Sequence, residues 1–230
     1  MVDQPAVFNW PPLESNPDVF TDYLHNLGVP ANWVVGEVFG LDEECLQFVP
    51  QPVVAVIATF ENLKKGEESK EPTAHADVSY YMKQTHVLDN ACGVIACIHS
   101  VLNNLDKIEL GKGSVLERFH QSVSAQSPEE RAKSLETNAE FQETHKTYAA
   151  QGQSNLASNQ DDVKHHFIAF IVNAKGQLVE LDGIKSGPII VKEHSDDLLK
   201  DAAALLAERV ANGSYSESLA VLTLNLKPAE

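Results

Sequence analysis

A cysteine, a histidine and an aspartate in this chain have the types and placement that nucleophilic acyl chemistry needs. A thiol attacks a carbonyl as its thiolate, and a helix N-terminus favours that anion through unpaired backbone N–H groups and a partial positive charge. In DNACGVIACIHS the helical pattern starts at about Gly93, so Cys92 stands at the cap. Gly93 itself leaves room for another backbone to come close. Cys97 lies about 140° around the same helix and faces the core, as a small buried hydrophobe does. Cys45, in a turn flanked by Leu and Phe, reads the same way.

A base must be held on a rigid element within about 3 Å of the thiol. Among nine histidines, His166 fits best because it opens the apolar strand HFIAFIV, with His165 on the opposite strand face. His99 shares a helical face with Cys92 but stands roughly 10 Å along the axis, beyond hydrogen-bond reach. Asn173, Ala174, Lys175 and Gly176 form a hairpin signal between that strand and QLVELD. The hairpin returns Asp182 to within about one residue of direct pairing with the start of the His166 strand. A carboxylate there would hold one imidazole nitrogen and leave the other to take the thiol proton. Glu180, on the same strand face, is the rival for that role.

Particular elements must carry these residues. Asn16 and Pro17 open DVFTDYLHNLG as a capped helix that stops at Gly28. The stretch NWVVGEVFGLDEECLQFVPQPVVAVIATF mixes a first strand, a short helical turn around Glu43 to Phe48, and a strongly apolar central strand from Val53 to Phe60. Residues 61–77 are charged without an apolar period and read as a loop. The helix from Gly93 to Asn103 is apolar nearly all round, which predicts burial. Further helices are expected over Ser114 to Val123, and from a capping box at Ser127, Pro128 and Glu130 toward Ala149. Gly152 to Asp162 is small and polar, a loop directly before the His166 strand. A last helix from Asp196 to Ala211, opened by Ser195, leads to a final strand from Ser218 to Leu226. Helices interleaved with mostly antiparallel strands make the fold class α+β.

One domain over residues 1–230 accommodates this pattern, since a chain of that length buries a large core without metals or disulfides. Three cysteines without a CxxC pair point to reduced thiols, so neither a metal site nor a cofactor is expected. The opening MVDQPAVFNWPP lacks the basic start and apolar run of a signal peptide, and nothing approaches the roughly 18 apolar residues of a membrane span. A cytoplasmic protein with no membrane partner is the expectation. With 17 Lys and Arg against 33 Asp and Glu, the formal net charge is -16. Such a chain lacks the clustered cations that bind phosphates, so no nucleic acid is expected and a basic partner fits better.

Taken with their neighbours, these residues resemble the ubiquitin carboxyl-terminal hydrolases of the UCH class, peptidase family C12. The resemblance runs through PLESNP at 12–17, NW at 32–33, MKQT at 82–85, NACG at 90–93, SPEERA at 127–132, GQ at 152–153, HFIAF at 166–170 and ELDG at 180–183. It implies Cys92 as nucleophile, His166 as general base, Asp182 as orienting acid and Gln84 as oxyanion donor. Between Gln84 and Cys92 the chain carries two more residues than the family pattern, among His86 to Asp89, and a bulge is the expected accommodation. The implied fold is a papain-like core with a mostly antiparallel sheet, a knotted backbone and a crossover loop at about Ala149 to Val163. The implied activity is release of amide, ester or thioester leaving groups from the C-terminal Gly of ubiquitin, by a monomer, through an acyl-enzyme on Cys92. Ubiquitin's tail is basic and ends in Gly-Gly, which makes Glu14, Asp18 and Glu37 the implied tail-binding positions. Two alternatives stay open: a ubiquitin-binding protein with weak or lost hydrolysis, and a cysteine peptidase for a related modifier.

Overall fold

The computed structural model describes residues 8–61, 76–151 and 165–228. Its strands are β1 (Trp33–Glu37), β2 (Val53–Glu61), β3 (His165–Val172), β4 (Leu178–Leu181), β5 (Ile189–Lys192) and β6 (Ala220–Leu226). They form one sheet in the order β1-β6-β2-β3-β4-β5, antiparallel at every pairing. Its helices are α1 (Pro17–Leu27), α2 (Glu43–Leu46), α3 (Cys92–Leu102), α4 (Val115–Val123), α5 (Pro128–Glu136), α6 (Ala139–Ala149) and α7 (Leu198–Ala211).

Helices cover both sheet faces, which explains why β2 reads as an apolar run instead of an alternation: Val54 to Phe60 are all buried. On one face Ile57, Ala169 and Leu181 pack with α1 and α3; on the other Val56, Ile168 and Phe170 pack with α7. Every residue of α3 is buried, as its all-round apolar pattern predicts. The start of α1 is fixed by Asn16, whose side chain accepts from the Asp18 and Val19 N–H groups, and its end by Gly28 at φ 108. Only glycine suits Gly28, because a Cβ there would also stand 2.1 Å from Ser114 Cβ.

Several elements depart from the expectations. The helix expected to run from Ser127 toward Ala149 is two helices, because Asn138 turns out of the path and caps α6 by accepting from Phe141 N–H at 3.0 Å. Strand β5 has no counterpart in the expected elements; four residues are too short to show a period. The last helix begins at Leu198 with Asp197 as its cap, while Ser195 donates to Asp201 Oδ2 at 2.6 Å instead. Cys45 is half-buried and not part of the core. Most of the charged stretch over 61–77, and the crossover loop from residue 152 onward with GQ at 152–153, lie outside the described residues, as does any knot they complete. No helix among the described residues is long and apolar enough to cross a membrane.

Candidate active site

Cys92 is the first residue of α3; Ala91 occupies the cap, and no side chain caps that turn. A 3-10 helix over His86–Ala91 runs directly into α3, so the two additional residues are absorbed helically and not by a bulge. Cys92 is 6% exposed and borders a cavity of about 270 Å³ whose walls include Leu13, Ser15, Thr59, His165, Phe167 and Ser218. The backbone approach expected at Gly93 is not found, since a Cβ there would meet only side chains, at 3.4–3.7 Å. That close approach occurs at Gly183, where a Cβ would stand 3.1 Å from the Gln84 nitrogen.

The hairpin sets the next two residues. Ala169 pairs with Leu181, so continuing the register puts Asp182 beside Ile168, two residues from His166 and not one. Residues two apart on a strand share a face, and the diagonal is within side-chain reach. His166 Nε2 donates to Asp182 Oδ1 at 2.7 Å, and the Ile184 N–H donates to the same oxygen at 3.1 Å. Burial works against a charged imidazole, yet the Asp182 hydrogen bond, then the influence of Cys92 and the Asp182 charge, outweigh it and push the His166 pKa up to about 10. Burial likewise opposes the Asp182 carboxylate, but the His166 hydrogen bond and charge, then the Lys185 charge, hold its pKa below the ordinary value. Cys92 is thus the second group acting on the ring, and Nδ1 is the nitrogen Asp182 leaves free. Phe60 packs edge-on against that ring, 6.1 Å between centroids at 87°.

Glu180 does not compete for His166. Its carboxylate is buried and bonds Lys185 Nζ at 2.5 Å and Arg209 Nη2. His99 sits in the core, where its Nε2 accepts from Met82 N–H at 3.1 Å and burial lowers its pKa to about 4. Cys97 is fully buried, and burial pushes its thiol well above the ordinary range.

Gln84 lies on the loop against the Asp182 turn, its N–H donating to Gly183 O at 2.8 Å. Its side-chain amide points at the 3-10 helix, with Nε2 donating to Asp89 O at 2.9 Å and Oε1 buried without a partner. Glu14 is half-buried between the cavity-lining Leu13 and Ser15 but is not itself part of the lining, whereas Asp18 and Glu37 are exposed on α1 and at the end of β1, away from it. Residues the sequence argument passed over also meet here. His165 borders the cavity from the strand face opposite His166, and Ser15 Oγ and Thr59 Oγ1 are buried there without partners. Because alternate residues of a strand share a face, the pairing of Thr59 with Phe167 and of Glu61 with His165 is what puts Thr59, His165 and Phe167 on one side, and that pairing is not written in either strand alone. Among the described residues no group of three or more His, Cys, Asp or Glu is placed to hold a metal ion.

A family model described as "Ubiquitin carboxyl-terminal hydrolase, family 1" matches residues 10–211. A ubiquitin carboxyl-terminal hydrolase of Drosophila melanogaster is 40% identical over 95% of this chain and 98% of its own. A probable ubiquitin carboxyl-terminal hydrolase of Dictyostelium discoideum is 39% identical over 96% of this chain and 90% of its own. Among solved structures, the Trichinella spiralis UCH37 catalytic domain bound to ubiquitin vinyl methyl ester aligns with a TM-score of 0.73 at 25% identity, covering 95% of this chain and 96% of that one. The family match takes in all seven helices and both strands of the hairpin between His166 and Asp182, and this chain belongs to the ubiquitin carboxyl-terminal hydrolases of peptidase family C12.

Proposed function

We propose that this chain is a deubiquitinating thiol hydrolase that takes ubiquitin by its C-terminal tail and works through Cys92, His166 and Asp182. The observation that carries the assignment is the 2.7 Å His166–Asp182 hydrogen bond on a ring that also interacts with Cys92 at a helix start. His166 Nδ1 takes the thiol proton, and Cys92 Sγ attacks the carbonyl carbon of the terminal Gly. Asp182 holds the ring's tautomer and stabilises the imidazolium. The Cys92 N–H and the Gln84 amide face the developing oxyanion, for which Gln84 must first leave Asp89 O. His166 then protonates the departing group, the carbon–leaving-group bond breaks, and a thioester remains on Cys92. Water, deprotonated by His166, hydrolyses that thioester and frees the ubiquitin carboxylate.

The cavity suits a tail that ends in glycine. It measures about 270 Å³, and the Ser15 and Thr59 hydroxyls, left without partners among the described residues, offer hydrogen bonds to main-chain amides. Glu14, Asp18 and Glu37 supply negative charge for the basic residues of the tail, in keeping with a net charge of -16. We further propose that the chain acts as one domain and a monomer, in the cytoplasm, without nucleic acid or membrane as partners. An electrophile placed at the C-terminus of ubiquitin should label the wild-type chain and leave Cys92→Ala unlabelled. Equal labelling of the two would remove Cys92 as the nucleophile.

A further inference from the structure

Glu180 of β4 and Asp182, one residue past its end, project to the same side, and the turn that follows carries a cation, Lys185, near both. Lys185 N–H donates to Asp182 O at 3.1 Å, which closes the turn and brings the Lys185 ammonium back over the strand. That ammonium bonds Glu180 Oε1 at 2.5 Å, while its charge also reaches the Asp182 carboxylate. Glu180 is already served from its other side by Arg209 of α7, which is itself held by the Tyr215 hydroxyl at 2.6 Å. One cation suffices to neutralise one carboxylate, so the second needs a reason. A lysine ammonium is a compact point charge on a flexible stem and takes whichever carboxylate is available. Asp182 is the nearby alternative, and its Oδ1 already serves His166 and Ile184.

We infer that Glu180 is a positioning residue: by holding Lys185, it keeps the ammonium off Asp182 and leaves that carboxylate to His166. This rests on the proposed roles of Cys92, His166 and Asp182. Without the Glu180 charge, Lys185 swings to Asp182, and the imidazole loses its orienting acceptor while Cys92 and the cavity stay as they are.

The test is a double-mutant cycle on a fluorogenic ubiquitin C-terminal amide. Glu180→Gln keeps the shape and drops the charge; its kcat should fall about 10-fold with KM within about two-fold, the scale on which an outer partner of a working histidine acts. Lys185→Met alone should keep kcat, and Glu180→Gln/Lys185→Met should return it to within about two-fold of wild type. A purely structural role for Glu180 predicts no such rescue. The downfield ring N–H resonance of His166 should shift in Glu180→Gln and return in the double variant. A double variant as slow as Glu180→Gln, or a Glu180→Gln enzyme with wild-type kcat, overturns the inference. If Glu180→Gln does not fold, Lys185→Met decides: a 10-fold loss of kcat in that variant overturns the inference, and a kcat within about two-fold of wild type supports it. Wild-type protein that resists the ubiquitin electrophile removes the triad assignment and this inference together; labelled wild type with a failed cycle removes this inference alone.

Discussion

His166 is the residue whose titration the site controls most strongly. Its pKa rises from 6.5 to about 10 because the Asp182 hydrogen bond and the influence of Cys92 outweigh the burial that opposes its charge. A group that binds its proton more tightly when folded stabilises the fold fully below its unfolded pKa, and that contribution is lost as pH rises through the folded value. The stability difference between wild type and His166→Gln, measured as urea midpoints, should therefore be largest near or below about pH 6.5 and shrink toward about pH 10. A difference that grows with pH would contradict the raised value. At this scale Cys92, His166 and Asp182, the residues proposed to react, could be picked out because each sits at the boundary of a strongly patterned element. The register was one residue out, since nothing in the chain marks β4 as ending at Leu181. The partners of Glu180 were not legible at all, because Arg209 comes from a helix 29 residues further on.

Element boundaries follow the same logic of local chemistry against tertiary packing. Asn138 is a weak helix former but a strong cap, and its side chain takes the Phe141 N–H where an uninterrupted helix was expected. Replacing it by Ala should cost about 1 kcal/mol of stability, read as a lower urea midpoint, because the hydrogen bond its side-chain oxygen accepts from the first turn of α6 is lost. Labelling by the ubiquitin electrophile should be unchanged, as Asn138 touches neither the cavity nor the triad. An unchanged midpoint would mean that the break between α5 and α6 is held by packing around Phe141 and not by the cap. The stretch SLETNAEF carries no Gly or Pro to mark the break, which is why the sequence pattern runs through it as one helix. Strand β5 is a different case: its four residues acquire strand character only by pairing with β4, and no local pattern foretells that.

On the scale of the whole molecule, the sheet order places β6, the last strand in the chain, between β1 and β2. That arrangement brings Ser218 and Ala220 beside Thr59 and His165 at the cavity, a meeting no single stretch of sequence encodes. Net charge, by contrast, is read from composition alone, and a value of -16 gives the molecule a field of one sign that draws a basic tail toward it. Attraction between exposed charges is screened over about 8 Å at physiological ionic strength, so added salt should weaken capture and leave the chemistry at the buried Cys92 alone. KM for a ubiquitin C-terminal amide is expected to rise several-fold between about 0.02 M and about 0.5 M NaCl, with kcat nearly constant. Glu37 is exposed at the end of β1, and Glu37→Lys should raise KM at low salt by a factor that fades as salt increases. A KM indifferent to salt would show that the acidity serves solubility alone, and a Glu37→Lys effect that persists at high salt would place this residue in direct contact with the partner rather than in its long-range field.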